Sequence, residues 1–241
     1  MNGMRVDHVV YAAERDGLKA TAQRLAEQIG VTPVDGGIHP RFGTRNIILP
    51  LAHERYVEVV EVLDHPASDK APFCQAVRAR SEAGGGWLGW VVQVDDITEQ
   101  ESRLGREAVD GNRHRPDGVE LRWRQLGIKG LQSDPQLPYF IEWAQGVPHP
   151  SGDAATEVTI ESLQIAGDPD RVREWLGLPA DSTSTVIDFK FVSPHGTPAP
   201  PTPSRGAPGP ADARHARERA GGGPRDLLRG RRVGADRGRR G

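Results

Sequence analysis

An internal repeat constrains the fold of this chain more than any other feature: one order of strands and helices occurs twice, about 82 to 84 residues apart. In the first copy, apolar residues at helical spacing follow the first strand, and Gly30 is suited to cap that helix. Gly36-Gly37 and His39-Pro40 then predict a loop before two more strands. The predicted strands of this copy, short and rich in β-branched residues, are Val6–Ala12, Arg45–Leu51 and Arg55–Val62.

The second copy has the same order of elements. Asp96–Val109 is predicted as its helix, and the stretch around His114 as its loop. Gly84-Gly85-Gly86, between the copies, is interpreted as a linker, because it lacks the Lys and the Ser or Thr of a phosphate-binding loop. The predicted strands of this copy are Leu88–Val94, Val119–Leu126 and Pro138–Trp143.

A third, partial unit follows the two copies. It consists of a strand at Glu157–Ala166, a helix at Asp168–Leu176 and a strand at Thr185–Val192. Asp168 and Pro169 are suited to the N-cap and the first position of that helix. The sequence therefore predicts an α+β fold, with a first module at residues 5–84, a second at 87–150 and a partial βαβ unit at 155–192.

The end of the chain differs in composition from the rest. Residues 193–241 are rich in Pro, Gly, Ala and Arg and have almost no large apolar side chains, so they are predicted to be disordered. Counted from Val192, this tail carries eleven Arg against four Asp or Glu, which leaves the remainder of the chain acidic. Because the tail has no Lys and no aromatic residue for stacking on bases, nucleic acid is not expected as a partner. A frame-shifted end of a GC-rich gene is the alternative explanation for this composition.

Other classes of protein are not supported by the composition. Cys74 is the one cysteine, so no disulfide can form within the chain, and a reducing cytoplasm is the expected location. Cys74 has no His beside it in sequence and is interpreted as structural. The start of the chain lacks the charged and apolar regions of a signal peptide, and no apolar run approaches about eighteen residues, so no membrane segment is expected.

The segments of the two copies resemble the vicinal-oxygen-chelate superfamily, and in particular its glyoxalase-like branch. The resemblance implies tandem βαβββ modules, each a curved sheet, that close around one cavity. It does not fix the reaction, because this superfamily includes isomerases, dioxygenases, epimerases, thiol transferases and antibiotic-binding proteins. The segments that carry it are DHVVYA at Asp7–Ala12, GIHPRFGTRNIILPL at Gly37–Leu51, YVEVVEV at Tyr56–Val62, RHRPDGVELRW at Arg113–Trp123 and PYFIEW at Pro138–Trp143.

The resemblance also implies where a metal would bind, because such proteins take their ligands from the first and last strands of each module. In the alignment of the two copies, His8 corresponds to Trp90 and Glu58 to Glu142, so these four residues occupy the ligand positions. An indole does not ligate a metal. The predicted set is therefore His8, Glu58 and Glu142, which suits one divalent ion completed by water. Glu58 or Glu142 is then the expected catalytic base, while the ion polarises a substrate carbonyl.

Four further residues are expected to contact the ligand from strands. Trp90, Trp123 and Trp143 would line an apolar cavity. Asn46 would hydrogen-bond the ligand from the strand beside that of Glu58. The alternative for the tryptophans is a purely structural role in the core, and for Glu58 it is pairing with a nearby arginine.

The predicted loops contribute a second group of polar residues. His39 corresponds roughly to His114, and either would supply a ligand-binding nitrogen or simply form a turn. Arg113 and Arg115 flank His114 and are interpreted as solvated loop charges, with anion binding as the alternative.

Two functions fit these residues. The first is a metal-dependent lyase, isomerase or oxygenase acting on a small carbonyl or aromatic compound, supported by the His8, Glu58 and Glu142 set. The second is a metal-free protein that binds a small hydrophobic molecule, as antibiotic-resistance members of the superfamily do, supported by Trp90 in a ligand position. A monomer or a homodimer is expected, because two modules in one chain can complete a site.

Overall fold

The two copies close into one eight-stranded barrel with helices on its outside. The computed structural model describes residues 3–152, 155–179 and 188–192. The predicted disordered tail at residues 193–241, and with it the question of a frame-shifted end, lies outside the described residues. No helix in the described part of the chain is long and apolar enough to cross a membrane.

Ten strands are present in the described residues, eight of them in the barrel. Their bounds are β1 Arg5–Ala12, β2 Val34–His39, β3 Thr44–Leu51, β4 Arg55–Val62, β5 Gly86–Gln93, β6 Val109–His114, β7 Glu120–Leu126, β8 Tyr139–Trp143, β9 Ser162–Ala166 and β10 Asp188–Val192. The barrel order is β1-β4-β3-β2-β6-β7-β8-β5, closing on β1. Each half thus has a parallel first–last pair, β1 with β4 and β5 with β8. The halves meet through the antiparallel pairs β1–β5 and β2–β6.

The helices pack on the outside of this barrel. Their bounds are α1 Leu18–Ile29, α2 Pro72–Glu82, α3 Ile97–Leu104 and α4 Pro169–Leu176. The predicted cap of α1 is confirmed, since Gly30 is left-handed with φ 84°. The predicted third-unit helix is also confirmed, because the Asp168 side chain accepts from the backbone N–H of Asp170 and Arg171.

Some predicted boundaries were wrong, and glycine explains most of the errors. The helix predicted to reach Val109 ends at Leu104, because Gly105 adopts a left-handed conformation and caps it. Both predicted loops are strands, β2 and β6. At Gly37 of β2 a Cβ atom would lie 1.9 Å from the carbonyl oxygen of His114, so this glycine permits the close approach of the two halves. The helix α2 was missed altogether, although Phe73, Ala76 and Val77 have helical spacing.

The register of the strands gives the true phase of the repeat. In β1–β4 His8 pairs with Tyr56, and in β5–β8 Val91 pairs with Tyr139. The two tyrosines therefore correspond at an offset of 83 residues, and so do His8 and Val91. The same offset relates Glu58 to Ile141. The alignment made from the sequence was therefore wrong by one residue at both positions. It matched His8 with Trp90, one residue before Val91, and Glu58 with Glu142, one residue after Ile141.

Two apolar clusters hold these layers together. An outer cluster packs the outside of the barrel against the helices and β9, and it includes Val9, Leu49, Val57, Phe140 and Leu163. An inner cluster fills one part of the barrel, with Val10, Val60, Val91, Leu121 and Ile141. The remaining interior is polar, and it forms the site described next.

Candidate functional site

A small polar cavity lies inside the barrel, between the two halves. It measures about 30 Å³, room for one or two water molecules, and reaches about 400 Å³ when the space up to its mouth is included. The wall is made by both halves and by α2. Its residues are His8, His39, Phe42, Tyr56, Glu58, Phe73, Arg113, Trp123, Gln125, Ile128, Tyr139, Ile141 and Trp143.

A β-bulge in β1 brings two neighbouring polar residues, Asp7 and His8, to this interior. Strand alternation would place them on opposite faces, but the register against β5 shifts between Val6 and His8. The Nδ1 atom of His8 lies 2.5 Å from Asp7 Oδ1. The other oxygen of Asp7 accepts from Trp143 Nε1 at 3.0 Å and lies 3.2 Å from His149 Nε2.

These contacts keep Asp7 ionised although it is completely buried. Burial alone raises the pKa of this carboxyl, but hydrogen bonds from His149 and His8 outweigh it and hold the pKa well below its usual value. A carboxylate only accepts hydrogen bonds, so the proton in the short contact belongs to His8 Nδ1. The neutral imidazole then has its lone pair on Nε2, which is the nitrogen that faces the other cavity residues.

Three side chains surround the Nε2 end of His8. Tyr56 stacks on the imidazole, with ring centroids 4.4 Å apart. The Tyr139 hydroxyl lies 3.4 Å from Nε2, and Glu58 Oε2 lies 3.8 Å from it. Burial, followed by nearby carboxylates, raises the pKa of both tyrosines well above the ordinary value, so each keeps its hydroxyl proton at neutral pH.

Asn46 connects the remaining polar residues of the cavity. Its Nδ2 donates to Glu58 Oε1 at 2.6 Å and lies 3.3 Å from His39 Nε2, and its Oδ1 accepts from Arg113 Nη1 at 3.2 Å. The amide orientation is unambiguous, because the opposite one would face the carboxylate with an oxygen and the guanidinium with a nitrogen. Gly36 makes room for this amide, since a Cβ there would lie 2.0 Å from Asn46 Oδ1.

His39 completes this network as a neutral imidazole. Its Nδ1 lies 2.8 Å from Thr44 Oγ1. Burial, followed by the charge of Arg113, holds the pKa of His39 well below 6.5. Because Asn46 donates toward Nε2, the ring proton is on Nδ1 and is donated to Thr44.

The structure brings together six of the nine residues expected to form the site, namely His8, His39, Asn46, Glu58, Trp123 and Trp143. Three others lie elsewhere. Glu142 faces α3, where its Oε2 accepts from the backbone N–H of Ile97 at 2.9 Å. His114 is more than half exposed, 3.7 Å from Glu120. Trp90 faces outward, donates from Nε1 to the carbonyl of Gln136 and lines a second cavity of about 420 Å³ beside β9.

Strand alternation explains each of these displacements. On β8 the inward residues are Tyr139, Ile141 and Trp143, so Glu142 between them faces outward. On β6 Arg113 is inward and only 3% exposed, so His114 is outward. The interpretation of Arg113 as a solvated loop charge was therefore wrong.

Sequence reasoning missed several residues of the site. Tyr56, Tyr139 and Gln125 line the cavity, and Asp7 and His149 support His8 from behind. A signal for two of them was present, because each final strand has a Tyr at or next to its first residue, in YVEV and YFIE. Aligning the copies on those tyrosines gives the correct offset of 83 residues.

The donor set does not fit the metal site that the superfamily implies. Of the four ligand positions in the true alignment, His8 and Glu58 carry donors, whereas Val91 and Ile141 are hydrocarbon. His39 adds a nitrogen 3.8 Å from Glu58 Oε1, but the Asn46 amide directs hydrogen-bond donors at both atoms. In residues 3–152, 155–179 and 188–192, no group of three or more His, Cys, Asp or Glu is arranged to hold a metal ion.

A duplicated βαβββ barrel around a polar cavity defines a protein of the glyoxalase-like kind. The sequence profile of the glyoxalase-like domain family matches residues 6–179, and the chain belongs to that family. This confirms the resemblance to the vicinal-oxygen-chelate superfamily and makes the protein one that binds a small molecule.

Two solved structures illustrate the likeness. A hypothetical protein from Staphylococcus aureus is 15% identical, with 78% of this chain and 85% of that chain covered and a TM-score of 0.58. Methylmalonyl-CoA epimerase from Mycobacterium tuberculosis is 13% identical, with 58% and 86% covered and a TM-score of 0.39. The comparison with curated protein sequences gives no match.

Proposed function

We propose that this protein binds a small carbonyl compound in the barrel cavity and transfers a proton at the carbon beside the carbonyl group. The observation that carries the proposal is the buried Asp7–His8 pair, 2.5 Å apart, which leaves the Nε2 lone pair of His8 toward the cavity. A histidine with its far nitrogen fixed by a carboxylate is suited to act as a general base.

The surrounding residues fit the charges that such a step develops. His8 Nε2 takes a proton from the carbon, the C–H electron pair forms the new carbon–carbon double bond, and the carbonyl oxygen becomes an enolate oxygen. The Tyr139 hydroxyl, 3.4 Å from Nε2, is placed to donate a hydrogen bond to that oxygen. Asp7 and Glu58 lie on either side of the imidazolium that forms and stabilise its charge. Return of the proton gives exchange or an isomerised product.

The dimensions of the cavity favour a small carbonyl compound over an aromatic one. The cavity volume is about 30 Å³, so a ring would have to displace several lining side chains. Trp123 and Trp143 pack against each other, with centroids 5.5 Å apart, and form an apolar wall beside the polar one. A compound of a few non-hydrogen atoms fits the cavity together with the space at its mouth, with one polar and one apolar side.

Solvent deuterium exchange tests the proposal without knowledge of the natural substrate. The purified chain is incubated in D₂O with small aldehydes, ketones and 2-oxo acids, and loss of the proton signal beside the carbonyl is followed by NMR. At least one compound is expected to exchange faster than in buffer. His8→Asn is expected to lower that rate by roughly 10²- to 10⁴-fold. His114→Asn, at an exposed position on β6, is the matched control and should exchange at the unaltered rate.

Two results would contradict the proposal. One is exchange that persists at full rate in His8→Asn while its circular dichroism remains that of the parent protein. The other is binding of carbonyl compounds, seen as quenching of tryptophan fluorescence, without exchange of any of them; that result would support the metal-free binding protein instead.

A further inference from the structure

Arg113 is a buried cation inside the cavity with unused hydrogen-bonding capacity. Only 3% of it is exposed, and it lines the cavity wall from β6. Its Nη1 donates to Asn46 Oδ1 at 3.2 Å, whereas its Nε has no hydrogen-bond partner in the described part of the chain. An arginine stays charged inside proteins, so burial without a direct carboxylate partner is unfavourable unless a ligand supplies one.

Gln125, on β7, lines the same cavity and carries a second unused donor. Its Oε1 accepts from Trp123 Nε1 at 2.9 Å, and its Nε2 has no partner in the described residues. An indole nitrogen can only donate, so the Gln125 amide cannot be reversed, and the free atom is a donor. Buried polar atoms are nearly always satisfied, so two unsatisfied donors in one cavity indicate a missing acceptor.

The acceptors already in the cavity do not meet this need. Both oxygens of Asp7 are held by His8, Trp143 and His149. Glu58 Oε1 accepts from Asn46, and its Oε2 faces His8. Arg113 and Gln125 cannot satisfy each other, because both present nitrogens that carry hydrogen.

We infer that the ligand of this cavity is a small carboxylate that also carries a carbonyl group, with its oxygens accepting hydrogen bonds from the side chains of Arg113 and Gln125. The inference rests on the proposed function, because it names the substrate class of the same site. A guanidinium recognises a carboxylate through charge-assisted hydrogen bonds, and an amide donor adds a further oxygen contact. A carboxylate in this position also places the carbonyl carbon within a cavity only a few atoms wide, near His8.

Binding of a charged and a neutral carbonyl compound of nearly equal size tests the inference. The probes are 2-oxopropanoate and its amide, 2-oxopropanamide, titrated against the full chain with tryptophan fluorescence as readout. The carboxylate is expected to bind about tenfold or more tightly than the amide. Arg113→Met should abolish that preference, and Arg113→Lys, which keeps the charge, should retain part of it. Arg122→Met, on the exposed side of β7, is the matched control and should keep the full preference.

Folding of the variants is checked by thermal unfolding. Arg113→Met removes an incompletely satisfied buried charge, so its unfolding midpoint should equal or exceed that of the parent chain. Equal affinity for the two probes, no binding of either, or a preference that survives Arg113→Met would overturn the inference.

The inference and the proton-transfer proposal fail in different ways. An Arg113-dependent preference for the carboxylate without deuterium exchange leaves the inference standing and contradicts proton transfer. His8-dependent exchange of neutral carbonyl compounds, with no preference for carboxylates, supports proton transfer and contradicts the inference.

Discussion

The two halves of the barrel have the same topology but contribute opposite chemistry to the cavity. In the first half, the inward positions of the first and last strands carry His8 and Glu58. At an offset of 83 residues the second half has Val91 and Ile141. The adjacent strands differ in the same way. In the first half Asn46 of β3 pairs with Val60 of β4, and at the equivalent place in the second half Trp123 of β7 pairs with Trp143 of β8.

The difference between the halves indicates a division of roles. The first half supplies the histidine proposed for proton transfer and most hydrogen-bond acceptors, whereas the second supplies an apolar wall and the cation Arg113. Among the inward positions of the first and last strands, only Tyr56 and Tyr139 are identical across the repeat. Duplication therefore fixed the shape of the cavity, and substitution at inward positions made its two sides different.

The largest expected effect separates two glutamates that sequence alignment treated as equivalent. Glu58→Gln removes the carboxylate 3.8 Å from His8 Nε2 and should lower the rate of deuterium exchange by roughly 10²-fold. Glu142→Gln should leave exchange unaltered, because this side chain caps α3 outside the barrel. The measurement is NMR exchange with the best compound of the carbonyl series. Similar losses in both variants would contradict the assigned difference between the halves.

The second prediction restores symmetry between the halves. Combining Val91→His with Ile141→Glu places a nitrogen and a carboxylate at the positions related to His8 and Glu58. All four ligand positions implied by the superfamily then carry donors, and affinity for Zn²⁺ should rise by about tenfold or more over the parent chain. Calorimetric titration with Zn²⁺ measures this.

The control for that variant is its stability without metal. New polar groups at buried positions should lower the unfolding midpoint, and Zn²⁺ should restore it, because an ion that binds only the folded state stabilises it. If the parent chain and the double variant bind Zn²⁺ equally well, the pseudosymmetric alignment of the halves is incorrect.

The third prediction concerns the pH dependence of folding stability that arises from His39, a buried histidine of the first half. Burial keeps the pKa of His39 in the folded state well below the value near 6.5 of the unfolded chain. At pH values between the folded-state and the unfolded-state pKa of His39, the unfolded chain binds more protons than the folded chain. The stability contributed by neutral His39 is therefore fully present above about pH 6.5 and falls as the pH decreases. Chemical denaturation at a series of pH values should show this loss diminished in His39→Gln.

His114→Asn is the matched control for the pH series, since this second-half histidine is more than half exposed. Its pH dependence should follow that of the parent chain. Asp7 adds a separate loss below about pH 3.8, because its folded pKa is depressed. An unaltered slope in His39→Gln between pH 6.5 and pH 5 would contradict the burial argument.

The smallest effect concerns the outward glutamate itself. Glu142→Gln weakens a charged contact at the start of α3, and the free energy of unfolding should decrease by about 0.3–1 kcal/mol. Urea denaturation is accurate enough to detect the upper part of this range. A decrease of several kcal/mol would indicate that Glu142 has partners beyond the helix terminus.

The sequence by itself determined the class of fold and part of the site. Alternating and β-branched segments gave six of the barrel strands, and the repeat gave the duplication, because these signals depend on local periodicity. His8, Glu58 and Asn46 were found because each lies in such a segment. Glycine-containing strands were missed, because Gly37 and its neighbours have the composition of loops and serve here for close packing.

Only the tertiary structure decided which residues face the cavity. An error of one residue in strand phase exchanges the two faces, and this placed Glu142 and Trp90 in the predicted site in place of Ile141 and Val91. The bulge that turns Asp7 inward has no local sequence signature, since it arises from the register between β1 and β5. The burial of Arg113 likewise depends on closure of the barrel, which joins residues far apart in the chain.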